Sequence, residues 1–296
     1  MFKKRFIYLG YATAWNLLRV LPKRMAYGLM RLIADRITAK NIAGVRRLRS
    51  NYHRVLPHLS EAEREELVRE GMRSYLRYWC DTFRLPSWSK QEIISSVTVS
   101  HEEYLRDPLS AGRGCVVSLP HAGNWDHAGA YFSMTGAPIV TVAERLEPEK
   151  LFNKFVAYRE SLCFEVLDAS SRSLAILSQR LRANRLVALV ADRDLSKNGV
   201  NVTFCGGPAR MPAGPALLSI QTGAPLITAF VSYTKTGIHI DFDPEIPIPD
   251  SGTTAEKVSI MIQQTADRLE KRLKDHLVDW HMLQRIWIDG DFVERD

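Results

Sequence analysis

The sequence is short of the devices on which small or extracellular folds depend. Its four cysteines stand at positions 80, 115, 163 and 205. No two share a C-x2-C or C-x4-C spacing, so neither a zinc site nor a disulfide framework is indicated. A reduced, cytosol-facing protein needing no metal and no cofactor is expected. No apolar run reaches the roughly 20 residues a helix needs to cross a bilayer. A Walker A loop and a G-x-G-x-x-G turn are missing, which argues against nucleotide-phosphate and dinucleotide chemistry. The absence of G-x-S-x-G disfavours a serine α/β-hydrolase. Acid is scarce at the start: Asp35 is the single carboxylate among the first 60 residues, against 13 Lys and Arg.

What is present suits a folded enzyme-sized body. The chain has 296 residues, 46% apolar and 25% charged. That length buries about three quarters of the unfolded surface. The overall charge of +7 divides unevenly, +12 in residues 1–60 and −5 in the remainder. A basic end of this kind points to a polyanionic surface, either nucleic acid or anionic membrane. Phe6 to Leu18 is uncharged, and as a helix would be about 20 Å long, too short to span. Lys3, Lys4 and Arg5 resemble the start of a signal peptide, yet Arg19, Lys23 and Arg24 follow the run and no small-x-small site stands there. Tyr8, Tyr11 and Trp15 with flanking cations, then Met25–Ile33 after Pro22, fit helices lying in a membrane interface. A nucleic-acid arm is disfavoured, because the cations alternate with apolar residues at helical spacing and no binding motif accompanies them. Residues 1–60 are therefore expected to form a basic amphipathic membrane-association section, and residues 61–296 the body.

In the body, Ser60 with Glu63 is a capping box opening a helix to about Phe83. From about 111, short apolar runs (114–119, 138–143, 164–168, 185–191, 225–232 and 236–243) alternate with helical stretches of 10–15 residues. The expected fold is α/β, a central mixed sheet flanked by helices, with the N-terminal helical section facing the membrane. Residues 196–213 read as a long Gly/Pro loop.

Open α/β sheets bind ligands beyond the carboxyl ends of their strands. The first such end carries His121, Gly123, Asn124, Trp125 and Asp126. Gly123 permits a tight turn, Asn124 can cap the next helix, and Asp126 in the first turn is within reach of the imidazole. A His held by a carboxylate is a general base near neutral pH. With no activated Ser or Cys, the base would act on an acceptor hydroxyl directly, without a covalent intermediate. Backbone amides near Gly123 and Asn124 are expected to stabilise an oxyanion.

The His121–Asp126 stretch also resembles the H-x4-D/E motif of the bacterial lipid A biosynthesis acyltransferase superfamily. Val190–Leu195, Gly199–Gly207, Ala209–Ala216 and the tail Asp279-Trp280-His281-Met282-Leu283-Gln284 with Trp287 are similar to its actinobacterial phosphatidylinositol mannoside acyltransferase branch. Arg193, where many relatives have Gln, favours that branch over lipid A. The resemblance implies a long-chain acyl-CoA, palmitoyl foremost, donating to a mannose hydroxyl of phosphatidylinositol mannoside. It implies a peripheral protein at the cytoplasmic face of the plasma membrane, and a monomer is expected. It makes His121 the base and Asp126 the motif carboxylate. Glu144, beside Arg145, and Arg159 sit where relatives keep a site carboxylate and arginine, and a buried Arg needs an anion. Asp192 or Asp194 would orient His121, the choice being open. Glu144, Arg145, Arg159, Arg193, Arg210 and Asn124 are the substrate-binding candidates. Arg210 could fork a phosphate or staple a loop. His127 and His281 are expected to be structural.

Overall fold

The computed structural model describes residues 2–144, 148–170, 172–194, 196 and 198–289, with side chains from residue 10 onward except Ala12. Four helices come first: α1 (Phe2–Val20), α2 (Lys23–Ala39), α3 (Ala43–Val55) and α4 (Glu61–Arg84). Pro22 separates α1 from α2, having no N–H to continue a helix. α2 buries Ala26, Met30 and Ala34, one stripe at four-residue spacing, against the body. Asp35 accepts a two-pronged bond from Arg73 of α4, at 2.6 and 2.8 Å. The one acid of the N-terminal section is thus committed to docking it. The capping box at α4 is present in both directions, with Ser60 N donating to Glu63 at 2.9 Å and Glu63 N to the Ser60 hydroxyl at 3.3 Å.

α5 (Lys90–Ser95), β1 (Val97–Ser100) and α6 (Glu103–Ser110) lead into the alternating body. There follow β2 (Cys115–Leu119), α7 (Trp125–Met134), β3 (Ile139–Ala143), α8 (Glu149–Ser161), β4 (Glu165–Asp168), α9 (Ser173–Arg182) and β5 (Leu186–Val190). The chain continues through β6 (Val200–Phe204), β7 (Gly207–Met211), α10 (Gly214–Thr222), β8 (Leu226–Tyr233), β9 (Ile238–Phe242) and α11 (Thr254–His276). Seven strands form one sheet in the order β1-β9-β8-β2-β5-β3-β4. Only β8 and β9 pair antiparallel within it, so the sheet is mixed. β2 and β5, the apolar runs of the sequence, lie at its centre, and every residue of β2 is buried. Strands covered on both faces need no polar alternation.

Two stretches differ from expectation. The supposed loop at 196–213 contains the hairpin β6–β7. Its turn is Cys205-Gly206, with φ of 47° and 72°. Two consecutive positive φ values make the primed turn whose twist suits a two-residue hairpin. Gly and Pro within the strands hide the alternation of Val200, Val202 and Phe204. Residues 90–110, unassigned from sequence, supply two short helices and the edge strand β1, which is only four residues long. Among the described residues, no helix is long and apolar enough to cross a membrane.

Candidate active site

β2, β5 and β3 run parallel, so their carboxyl ends open on one side. His121 follows β2 directly. The turn after it depends on Gly123, whose φ is +57°. A Cβ there would lie 2.4 Å from the Val231 carbonyl oxygen, so no other residue fits. Asn124 then caps α7, its side chain accepting from the His127 amide at 2.9 Å.

β5 ends beside β2, and the next turn brings Asp192 beneath His121. Asp192 is fully buried. Its Oδ1 meets His121 Nδ1 at 2.5 Å. Its Oδ2 accepts from the His121 amide at 3.0 Å and from the Trp280 indole at 2.8 Å. Burial alone would push this carboxyl up. The His121 ring, the Trp280 N–H and Arg193 reverse that and hold it below its ordinary value. An ionised carboxylate on Nδ1 fixes the tautomer that leaves Nε2 as the acceptor, the arrangement of a general base. The His121 side chain keeps 24% exposure.

His121 lines a cavity of about 760 Å³. The interior wall is apolar, from Ile139, Ala188 and Leu189 on the sheet, Phe152 and Phe155 on α8, and Leu174 and Leu177 on α9. Trp125, stacked on Tyr78 with ring centres 4.2 Å apart, stands edge-on to His121 at 5.6 Å. Glu144, Arg193 and Asp194 bring charge to the same space. α1 reaches this wall, since Tyr11 and Trp15 both pack on Phe155 at 6.4 and 5.4 Å.

Asp126 does not hold the imidazole. Its Oδ1 accepts from Arg159 Nε at 2.8 Å and its Oδ2 from the Tyr78 hydroxyl at 3.1 Å. The helix turn points it toward α4 and α8 instead of back along β2. Arg159 therefore has Asp126 as its anion, not Glu144, which is exposed. Burial disfavours the Arg159 charge, but the Asp126 carboxylate and the neighbouring tyrosines outweigh it and raise its pKa.

Of the two acids after β5, Asp192 holds His121. Asp194 accepts from the Ser196 amide at 2.8 Å, shaping the loop, while its own amide donates to the Arg210 carbonyl at 2.7 Å. Arg210 donates to the Ser196 carbonyl and to Asn201, both at 3.2 Å, so it staples the hairpin to that loop. Asn124 is fully buried and does not border the cavity, so its part is the helix cap. The Gly123 amide is engaged by the Asp279 carbonyl at 2.8 Å, which removes it from any oxyanion role. Arg145 lies outside the described residues. His127 is buried against Ile93 O and Ser96, each at 3.2 Å. His281 is buried beside Ser74 at 3.0 Å. The structure adds Trp125, Tyr78 and Trp280 to the site; of these, Trp125 and Trp280 belong to motifs legible in the sequence, while Tyr78 on α4 has no local signal. Among the described residues, no group of His, Cys, Asp and Glu could hold a metal ion.

A carboxylate-held imidazole lining a largely apolar cavity is the equipment of an enzyme that activates a hydroxyl or water beside an apolar substrate. The chain belongs to the bacterial lipid A biosynthesis acyltransferase family, whose model matches residues 1–288. It is 41% identical, over 95% of its length and 91% of the relative's, to a phosphatidylinositol mannoside acyltransferase of Mycolicibacterium smegmatis. It is 38% identical to one of Mycobacterium tuberculosis, over 94% of this chain and 88% of the relative.

Proposed function

We propose that the protein transfers a long-chain fatty acyl group, palmitoyl foremost, from acyl-CoA to a mannose hydroxyl of a phosphatidylinositol mannoside. The observation that carries this reading is the His121–Asp192 pair opening onto the apolar cavity. The names of the similar proteins supply the acceptor class.

In this mechanism His121 Nε2 takes the proton of the sugar hydroxyl as its oxygen attacks the thioester carbonyl. The buried Asp192 carboxylate stabilises the imidazolium that forms. The tetrahedral intermediate collapses by breaking the C–S bond. The CoA thiolate leaves and takes the proton back from His121. No covalent acyl-enzyme is formed. The positive end of α7, which borders the cavity at Trp125 and Asp126, favours the developing oxyanion. The fatty chain lies along the apolar wall, where each buried methylene contributes about 0.8 kcal/mol. Arg193 and Glu144 at the charged part of the cavity are the candidates for contacting polar parts of donor and acceptor. The N-terminal section seats the enzyme, as a peripheral monomer, on the anionic cytoplasmic leaflet where both lipids are met.

The test is purified protein with palmitoyl-CoA and a panel of phosphatidylinositol mannosides and lipid A-type acceptors, scoring free thiol and product mass. Thiol release should require the mannoside, and His121→Ala and Asp192→Asn should each lose about 10²–10⁴-fold in rate. Acceptor-independent thiol release would make the chain a thioesterase. Wild-type transfer by folded His121→Ala would remove the mechanism.

A further inference from the structure

We propose that Trp280 is a positioning residue of acyl transfer: its indole N–H, acting through Asp192, holds the His121 ring in the orientation and tautomer that catalysis uses. The proposal rests on the reading of His121 as the base.

Asp192 is fully buried, away from bulk solvent. Its Oδ2 has two donors from the protein, the His121 amide and the Trp280 indole at 2.8 Å. Without the indole, that oxygen would keep only the amide, and the carboxylate could swing about its Cβ bond. A buried oxygen left partly unpaired is costly, and a freed carboxylate no longer defines the imidazole plane.

The indole is itself fixed from two directions. Trp280 is fully buried, with Phe204 and Trp287 edge-on at 6.1 and 6.3 Å. Its backbone pairs antiparallel with Ala122, and the bonds on either side clamp the catalytic turn. His281 N donates to the His121 carbonyl, and Gly123 N to the Asp279 carbonyl, both at 2.8 Å. Asp279 in turn accepts from the Ser74 hydroxyl at 2.7 Å and the Tyr233 amide at 2.8 Å. Residues 279–281 are thus a strap from α4 and β8 across the turn that carries the base, and Trp280 is the side chain it sends into the dyad.

A role in packing alone predicts something different. Trp287 belongs to the same aromatic cluster and spends its N–H on the Phe204 carbonyl at 2.8 Å. Its removal costs similar packing without touching Asp192. The other charged and titratable groups around the dyad are Arg193, at the exit of β5, Glu144 and Asp194, which line the same cavity, and buried His281; Asp126 is paired with Arg159.

The experiment compares Trp280→Phe, Trp287→Phe and His121→Ala in the full-length protein, with palmitoyl-CoA and a phosphatidylinositol mannoside. Thermal unfolding corrects each for folded fraction. Trp280→Phe should lower kcat about 10- to 100-fold at nearly unchanged KM, as expected for lost alignment. It should also displace the acid limb of the kcat/KM profile, because the buried carboxylate facing the base has lost a hydrogen-bond donor. Trp287→Phe should lower Tm and leave kcat and the acid limb in place. If Trp280→Phe fails to fold, benzothienylalanine at position 280 replaces the N–H by sulfur at nearly the same shape and should give the same kinetic signature. Identical kcat and acid limbs in the Trp280 and Trp287 variants would overturn the positioning role while inactive His121→Ala left the base intact. Active His121→Ala would remove the base and this proposal together.

Discussion

Burial sorts the three imidazoles near the turn into two kinds. His121 keeps its ring at the cavity wall. His127 is 1% and His281 6% exposed. Burial pushes His127 down to about 4 and His281 down to about 3. Both are therefore neutral when folded and gain a proton on unfolding below the ordinary value of about 6.5. The unfolded state binds more protons, so the contribution of each to stability is full above pH 6.5 and drains away as pH falls. For His127 the loss is complete near pH 4. We expect His127→Asn to be less stable at pH 7, through its lost contact with Ile93, yet to lose less stability than wild type between pH 6.5 and 4. Denaturant titrations of both proteins across that range check it, and parallel pH curves would contradict it. At this scale the sequence showed His121 and both candidate acids after β5. It could not choose between Asp192 and Asp194. Two residues apart on an exit turn, one falls inward beneath β2 and the other closes the loop. The H-x4-D spacing likewise gives reach and not direction, and the turn of α7 sends Asp126 to Arg159 and Tyr78 instead of the imidazole.

The elements around the cavity set what it can hold. Ala188 lies mid-strand on β5, and its small side chain leaves room between the sheet and the facing helices. Phe at this position would fill the channel without altering the dyad. Ala188→Phe should therefore retain transfer from short acyl-CoA and lose efficiency for long ones. The loss should approach about fourfold per methylene excluded, the equivalent of about 0.8 kcal/mol each. Measuring kcat/KM against chain length from C8 to C18 decides this; a uniform loss at all lengths would mean that the acyl chain lies elsewhere. The strands that build this wall were legible because parallel strands buried on both faces appear as unbroken apolar runs. Harder to see were β1, an edge strand of four residues, and the β6–β7 hairpin, whose ladder depends on a Cys-Gly turn and contains Pro208. The cavity itself could not be read, because it arises where side chains from β3, β5, α8 and α9 converge, and no local pattern records that meeting.

Across the whole molecule, charge and exposed apolar surface coincide at one end. The first 60 residues carry +12 and the rest −5. Large apolar side chains left in solvent include Leu17, Val20, Met25 and Leu32, which is 56% exposed. Met25 and Leu32 are two turns apart on one face of α2, with Arg24 and Arg31 next to them in sequence. α1 joins this surface to the cavity wall through Tyr11 and Trp15. A membrane-seated enzyme would thus have its lipid entry beside its anchor. Each cation near an anionic leaflet is worth about 1 kcal/mol. Replacing Arg19, Arg24 and Arg31 together by Gln should weaken binding to vesicles containing phosphatidylinositol by about 3 kcal/mol, or roughly a hundredfold. The same number of substitutions in the body, at Lys235, Lys257 and Lys271, should change little, because those charges stand on the net-acidic part of the chain. Raising the salt should narrow the difference, since exposed charges are screened beyond about 10 Å at 0.1 M. Co-sedimentation of the two triple variants with anionic and neutral vesicles makes the comparison. Equal binding by both would dissociate the basic end from the membrane and leave its charge to some other anionic partner.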